Sequence, residues 1–430
     1  MDYAEARSWY LGLERFGSKL GLDAVAALLG RLGDPHTRFS IVHVTGTNGK
    51  GSTAAMMASI LRSAGYRTGL FISPHLSTWR ESISLDGEKI GQQEAAAIMT
   101  QVRAACEAVE RKGPRHPTQF EALTAAGFTY FADSDANFAV VEVGIGGRRD
   151  ATNIVTPEVA IITNISLEHT AILGDTVEKI AAEKAGIIKP GCAVVTAATG
   201  AALRVIEERS HEVGASLTIV GRDVTYKPLE SGIEGQSFLV HGRAGTYALT
   251  SPLIGDHQVV NAATAVAAAE SLLTRRFNIP GTAIVRGIGE VRWPGRLEVV
   301  QLSPLVLLDG AKDAEAAHAL RRAIDKIPRR HLIAVIGISS DKDIPSMVRE
   351  IGGAADLVIA TSHRVVSRTA TSTVIAEEVR KLGKPVEAVP RVADAVRRAL
   401  DLAGPEDVIL IAGSVFLIGE ARECWHPAEL

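Results

Sequence analysis

Short apolar runs rich in Val and Ile alternate along this chain with longer stretches whose apolar residues recur at helical spacing. Residues 1–33 read as two short helices, stopped at Leu32-Gly33-Asp34-Pro35. A strand at 41–45 then enters a glycine-rich turn, and a helix follows at 54–64. A second strand, 69–73, runs straight into Pro74-His75, and 76–86, full of hydroxyls and charges, reads as a surface binding loop. Helices are expected at 92–112 and 119–132, divided by Gly113-Pro114 and Pro117. Strands follow at 137–143 and 159–164, then a helix at 175–185 with a capping-box start (Asp175, Glu178) and Gly186 as its C-cap. Further strands are expected at 193–196 and 217–220, with a hairpin over 238–249. Helices at 257–273 and 282–289 complete the first half.

Trp293-Pro294-Gly295-Arg296 interrupts the pattern and is the expected hinge. Beyond it, strands at 306–308, 332–337, 357–360, 386–389 and 408–412 alternate with helices at 314–327, 344–351, 373–382 and 393–403. The pattern predicts an α/β protein. A P-loop-containing parallel-sheet N-terminal domain (1–296) precedes a smaller doubly wound, Rossmann-like C-terminal domain (297–430).

Composition narrows the function. With 46 basic against 49 acidic residues, net −3, the chain advertises no polyanion surface, so nucleic acid is not an expected partner. No apolar run reaches membrane-spanning length, and the first twenty residues lack a signal-type apolar core. Cys106, Cys192 and Cys424 form no metal or redox spacing, which fits a cytoplasmic protein.

The candidate chemistry begins at Gly46-Thr47-Asn48-Gly49-Lys50-Gly51-Ser52-Thr53. A glycine-rich turn between strand and helix aims backbone N–H groups at one place, and Lys50 adds a full charge. Ser52 or Thr53 is placed to ligate the Mg²⁺ that accompanies a nucleotide. The spacing differs from the common Walker form, with Gly51 between lysine and hydroxyl; the loop points to ATP. Glu142 is an acid inside an apolar strand, expensive unless it meets a cation or a metal. A second glycine-rich turn spans 144–153, and the strand at 159–164 leads to Glu168-His169.

Together the strings resemble the folylpolyglutamate synthase and dihydrofolate synthase family of the Mur ligase superfamily. They are LGLERFGSKLGLD (11–23), HVTGTNGKGST (43–53), SPHL (73–76), PTQFEALTAAGF (117–128) and EVGIGGRRDATN (142–153). They continue with ITNISLEHTAILGDTVEKIAAEKAGIIK (162–189), GDHQVVNAATA (255–265), WPGRLE (293–298), LLDGAK (307–312) and IAGSVFLIGE (411–420). The resemblance implies an ATP-dependent ligase that adds L-glutamate to folate, with dihydropteroate a further candidate substrate, through an acyl phosphate. It implies two Mg²⁺ ions, held by Ser52, Ser73, Glu142, His169 and a carbamate on Lys184. Lys50, Glu142, His169, Lys184 and Arg296 are its catalytic set. The nucleotide falls to residues 47–53, Asn261 at the adenine, Arg296, Asp309 and Lys312. The folate falls to Ser73, Pro74, His75, Gln119, Phe120 and Glu121, in a monomer. Bland alternatives stand beside several of these: Lys184 in a helix's last turn complements the helix dipole, and Phe120 at helical spacing suits a core. Two departures stand out. Lys312-Asp313-Ala314 occupies the place of the family's His-Asn-Pro, and Arg149 stands where a leucine-like residue is common. The first leaves open a Mur-type ligase for another acid, or a nucleotide-binding protein without ligase activity.

Overall fold

The computed structural model describes residues 1–365 and 367–427. Its first sheet contains β1 (Ser40–Thr45), β2 (Thr68–Phe71), β3 (Ile83–Leu85), β4 (Glu88–Lys89), β5 (Phe138–Glu142), β6 (Val159–Ile162), β7 (Ala193–Thr196) and β8 (Ser216–Ile219). The order is β4-β3-β2-β5-β1-β6-β7-β8. β2, β5, β1, β6, β7 and β8 run parallel; β3 pairs antiparallel with β2, and the short β4 pairs antiparallel with β3. The loop-bearing β1 is therefore central, and the carboxyl ends of β2, β5 and β6 lie beside its own.

Strand alternation sorts the two faces. Val42, Val44, Phe138 and Val140 pack under the helices Lys50–Ser63 and Asp256–Leu273. Ile41, Ala139 and Val141 face the amino-terminal helices and Gln119–Asp133. A three-stranded antiparallel sheet, β9 (Thr225–Gly232), β10 (Gly235–His241) and β11 (Thr246–Ser251), flanks this body, and its second turn is the expected hairpin.

A second sheet contains β12 (Glu298–Leu302), β13 (Leu305–Asp309), β14 (Leu332–Ile336), β15 (Leu357–Ser362), β16 (Val386–Arg391) and β17 (Val408–Ala412), in the order β12-β13-β17-β14-β15-β16. All but β12 are parallel. Helices cover both faces. The α/β class and its two parallel sheets are as the sequence predicts.

Three local expectations are corrected. The helix after β6 runs Val177–Lys184 and is capped by Thr176, whose hydroxyl accepts from Lys179 N; Asp175 instead pairs with Lys179 Nζ at 2.8 Å. Gly186 does not cap in the left-handed region. It lies in a 3₁₀ turn against Arg148, where a Cβ would come within 2.4 Å of the arginine's own. Residues 76–86 are not an exposed loop: Trp79 and Arg80 are buried, and Ile83–Leu85 joins the sheet. Tyr10 and Tyr3 cover the Trp79 ring, at centroid distances of 5.1 and 6.4 Å.

Candidate active site

The carboxyl edge of the first sheet and the start of the second half enclose one cleft of about 890 Å³. The turn after β1 forms its floor. Gly46 and Gly49 have φ of +150° and +82°, and a Cβ would come within 1.8 Å of Thr163 Oγ1 and 2.4 Å of Asn261 Oδ1 respectively. Only glycine fits that curl. The helix Lys50–Ser63 begins inside the motif, so its free N–H groups face the cleft. Lys50 Nζ donates to the carbonyls of Gly46 and Thr47, each at 3.0 Å. Burial and the nearby Lys312 push its ammonium down, against the pull of Glu168 and Glu142. Ser52 lines the cleft and accepts from Gln258 Nε2 at 3.3 Å, whereas Thr53 lies behind it, its hydroxyl buried without a hydrogen bond.

Glu142, the last residue of β5, lines the cleft, and Ser73 N donates to its Oε2 at 3.2 Å. Burial pushes the carboxyl up, and Lys50 pulls it back. His169 lines the same wall; burial lowers its imidazole to about 4, which leaves a ring-nitrogen lone pair free at neutral pH. Its neighbour Glu168, 5 % exposed, accepts from Lys312 Nζ at 2.6 Å. Burial would raise Glu168, but Lys312 and Lys50 overrule it and hold the carboxyl at about 2. Lys184 stands behind the loop, with its buried Nζ donating to Gly46 O at 2.7 Å. Burial and Lys50 lower it to about 7.

The opposite wall draws on both halves. Arg296 and Lys312 line the cleft, as do Asp309 at the end of β13 and Asn261 of the helix Asp256–Leu273. Asn261 Nδ2 donates to Gln258 Oε1 at 2.9 Å. Asp309 receives Leu297 N and Ala311 N at 3.0 and 2.8 Å. Thr47, Asn48, Gly49 and Gly51 complete the floor.

The substrate candidates divide. Ser73, Pro74, Gln119 and Phe120 line the cleft, with Phe120 also packed on Phe71 at 6.0 Å; His75 is not among the lining residues. Gln119 Nε2 donates to Tyr10 O at 3.1 Å. Glu121 borders the cleft, yet its carboxylate is taken by both Arg115 Nη atoms at 2.7 Å and by the Thr118 capping box. Sequence reasoning missed Asn164, Gln258, Lys342 and Arg368, which also line the cleft. Asn164 and Gln258 fall inside the quoted strings 162–189 and 255–265, which was the available signal.

Among the described residues, no three His, Cys, Asp or Glu side chains gather as a ready metal cluster. The donors on the cleft are mixed: the hydroxyls of Ser52 and Ser73, the Glu142 carboxylate and the His169 imidazole. Oxygen-rich sets of this kind, next to a phosphate loop, fit Mg²⁺.

Comparison with known proteins bears directly on this geometry. Residues 44–269 match the Mur ligase middle domain, and residues 295–415 match the Mur ligase, glutamate ligase domain. The Bacillus subtilis dihydrofolate synthase/folylpolyglutamate synthase is 35% identical, over 98% of this chain and 98% of its own length. The chain belongs to this family. A Haloferax volcanii relative named as a probable bifunctional folylpolyglutamate synthase/dihydropteroate synthase is 38% identical over 100% of the chain, which spans 51% of that protein. This chain therefore covers about half the length of that curated relative, and the same holds for a Halobacterium salinarum protein at 52%. Among solved family members, Escherichia coli FolC in complex with DHPP and ADP superposes with a TM-score of 0.88, at 31% identity over 99% of this chain and 97% of that one. The Mycobacterium tuberculosis folylpolyglutamate synthase complexed with ADP gives 0.91, at 30% identity over 99% of both chains.

Proposed function

We propose that this chain is an ATP-dependent ligase that joins L-glutamate to a folate, or to dihydropteroate, by way of an acyl phosphate. One observation carries the reading. The phosphate loop and the strand-end groups Ser73, Glu142 and His169 share a single cleft with Arg296 at the boundary and with Asp309 and Lys312 of the other half.

ATP lies with its phosphates on residues 47–53 and its adenine toward Asn261. Lys50 and Arg296 neutralise the phosphates, so the substrate carboxylate can approach the γ-phosphorus. A carboxylate oxygen bonds to that phosphorus as the bond to the β-phosphate oxygen breaks, and ADP leaves. The amine of glutamate then attacks the acyl carbon; phosphate departs with the C–O electron pair, and the amine's proton passes to solvent. The acid substrate runs past Pro74 toward Gln119 and Phe120, whose ring offers a face to a pterin. Lys342 and Arg368, on the C-terminal wall, suit the carboxylates of the incoming glutamate. Closure of the two halves keeps water from the acyl phosphate.

Ser52, Ser73, Glu142 and His169 would hold divalent cations, which when bound supply positive charge to the phosphate oxygens. Lys184, with its amine lowered to about 7, is suited to add carbon dioxide. Its nitrogen forms the new N–C bond and its proton is released to solvent, leaving an anionic group beside the loop. We place the protein in the cytoplasm as a monomer, with residues 1–296 as the nucleotide and folate unit and 297–430 as the glutamate-ligase unit.

The test is purified protein with ATP and labelled glutamate, given dihydropteroate and tetrahydrofolate side by side. Phosphate release that needs the pterin acid and glutamate together is the expected result. Release independent of both overturns the reading in favour of a nucleotide-binding protein without ligase activity.

A further inference from the structure

We propose that Lys312 and Glu168 form an ion-paired clasp that holds the two halves shut over the phosphate loop, and that Glu168 is a positioning residue of this ligase. The inference rests on the cleft being the reaction site, but its test does not depend on which acid is used.

The two residues come from opposite sides of the seam. Lys312 follows β13 of the second sheet, and Glu168 follows β6 of the first. Their side chains meet at 2.6 Å with Glu168 only 5 % exposed, so a charge-assisted bond forms where little water screens it. Three more contacts surround it. Asn48 Nδ2, within the phosphate loop, donates to Asp313 Oδ1 at 3.2 Å and Glu315 Oε2 at 3.4 Å, and Asn164 Nδ2 donates to Glu315 Oε1 at 3.3 Å. Asn48 N in turn donates to Asn164 Oδ1 at 2.7 Å. The clasp is therefore stitched to the loop itself.

It is also tied to a rigid body. Asp313 caps the helix Ala314–Ile324 by accepting from Ala316 N at 2.9 Å, so a displacement at the seam carries a helix with it. Other ion pairs across the seam, Asp256 with Arg322 and Lys326, have side chains 40–64 % exposed. Water and salt weaken those. The Lys312–Glu168 pair is better shielded, with Lys312 32 % and Glu168 5 % exposed: it is stronger while the cleft is shut and is hydrated further once it opens. Lys312 belongs to Lys312-Asp313-Ala314, the string that stands in the place of the His-Asn-Pro named above.

Spin labels test the proposal on the full chain. With Cys424 changed to serine, cysteines replace the exposed Glu178 of the first half and Arg397 of the second. The distance distribution is then measured by double electron–electron resonance with ADP and magnesium present. Glu168→Gln and Lys312→Met should each broaden the distribution toward longer distances. Each should also lower kcat roughly tenfold, a usual size for coupling between sites. The exchanged pair, Glu168→Lys with Lys312→Glu, should narrow the distribution again without restoring kcat, since a carboxylate then faces the phosphates. Lys312→Met changes the more exposed partner and keeps the test alive if a Glu168 variant fails to fold. Distributions unchanged from the parent in Glu168→Gln and Lys312→Met overturn the clasp, whatever the turnover. If the parent forms no amide with any folate, the distances still decide the matter separately from the proposed reaction.

Discussion

Glu142 and Asp309 hold the same place in two different sheets. Each is the last residue of a parallel strand, each is buried, and burial pushes both carboxyls up. Their surroundings separate them. Asp309 is bound at both oxygens by backbone N–H groups, from Leu297 just before β12 and from Ala311 of its own turn. Glu142 receives one longer bond, 3.2 Å from Ser73 N, and keeps lone pairs toward the cleft. A carboxylate already satisfied by backbone suits an anchor, whereas one left short of donors can still accept a cation. The sheet edge that binds and the sheet edge that braces are thus told apart by hydrogen-bond supply.

The largest expected effect tests the binding edge as a whole. Lys50→Ala removes the loop's charge and should lower kcat by roughly 10²–10³-fold, as loss of one preorganised donor does. Near-normal turnover would mean the phosphates sit elsewhere. Lys184→Ala should also cripple the enzyme, and added acetate should restore part of the activity by replacing the missing anion. Full activity without acetate would refute the carbamate.

The two strand-end acids give a smaller but sharper contrast. Glu142→Gln should lower kcat and raise the magnesium needed for half-maximal rate, while the melting temperature stays near that of the parent. Asp309→Asn presents an N–H to a donor that needs an acceptor, costing about 1–3 kcal/mol of stability, read as a lower denaturant midpoint. If Asp309→Asn left stability intact and shifted only the magnesium titration, the two roles would be reversed.

The last contrast, which shows only in acid, concerns one buried imidazole in each half. Burial lowers His43 to about 3 and His363 to about 4. Unfolding frees each ring to bind a proton near its ordinary value of about 6.5. Between that value and the folded one, the unfolded chain holds more protons, so stability falls as pH drops, by up to about 1.4 kcal/mol per pH unit per ring. His43→Gln and His363→Gln should each flatten the acid limb of a denaturant-midpoint profile. An unchanged limb would show that the ring is hydrated in the folded protein.

Much of this was legible in the chain. Strand ends that stop at polar clusters located the cleft, because parallel strands deliver their carboxyl ends to one edge. Thr176 and Asp175 are both good caps by type, and backbone geometry chose between them. Trp79 looked like part of a surface loop, since its cover comes from the amino-terminal Tyr3 and Tyr10. Lys312 and Glu168 lie 144 residues apart, a pairing no local pattern encodes. Gly186 read as a cap, but it answers to the close approach of Arg148.

The indole of Trp293 rests on the helix that opens the phosphate loop, where a Cβ on Gly51 would come within 2.6 Å of its ring. Its Nε1 is buried without a hydrogen bond, and three residues later comes Arg296 of the opposite wall. An aromatic chromophore so placed sits between the loop and the joint. Its emission should change whenever nucleotide arrives or the joint flexes, which gives the protein an optical reporter that needs no added dye.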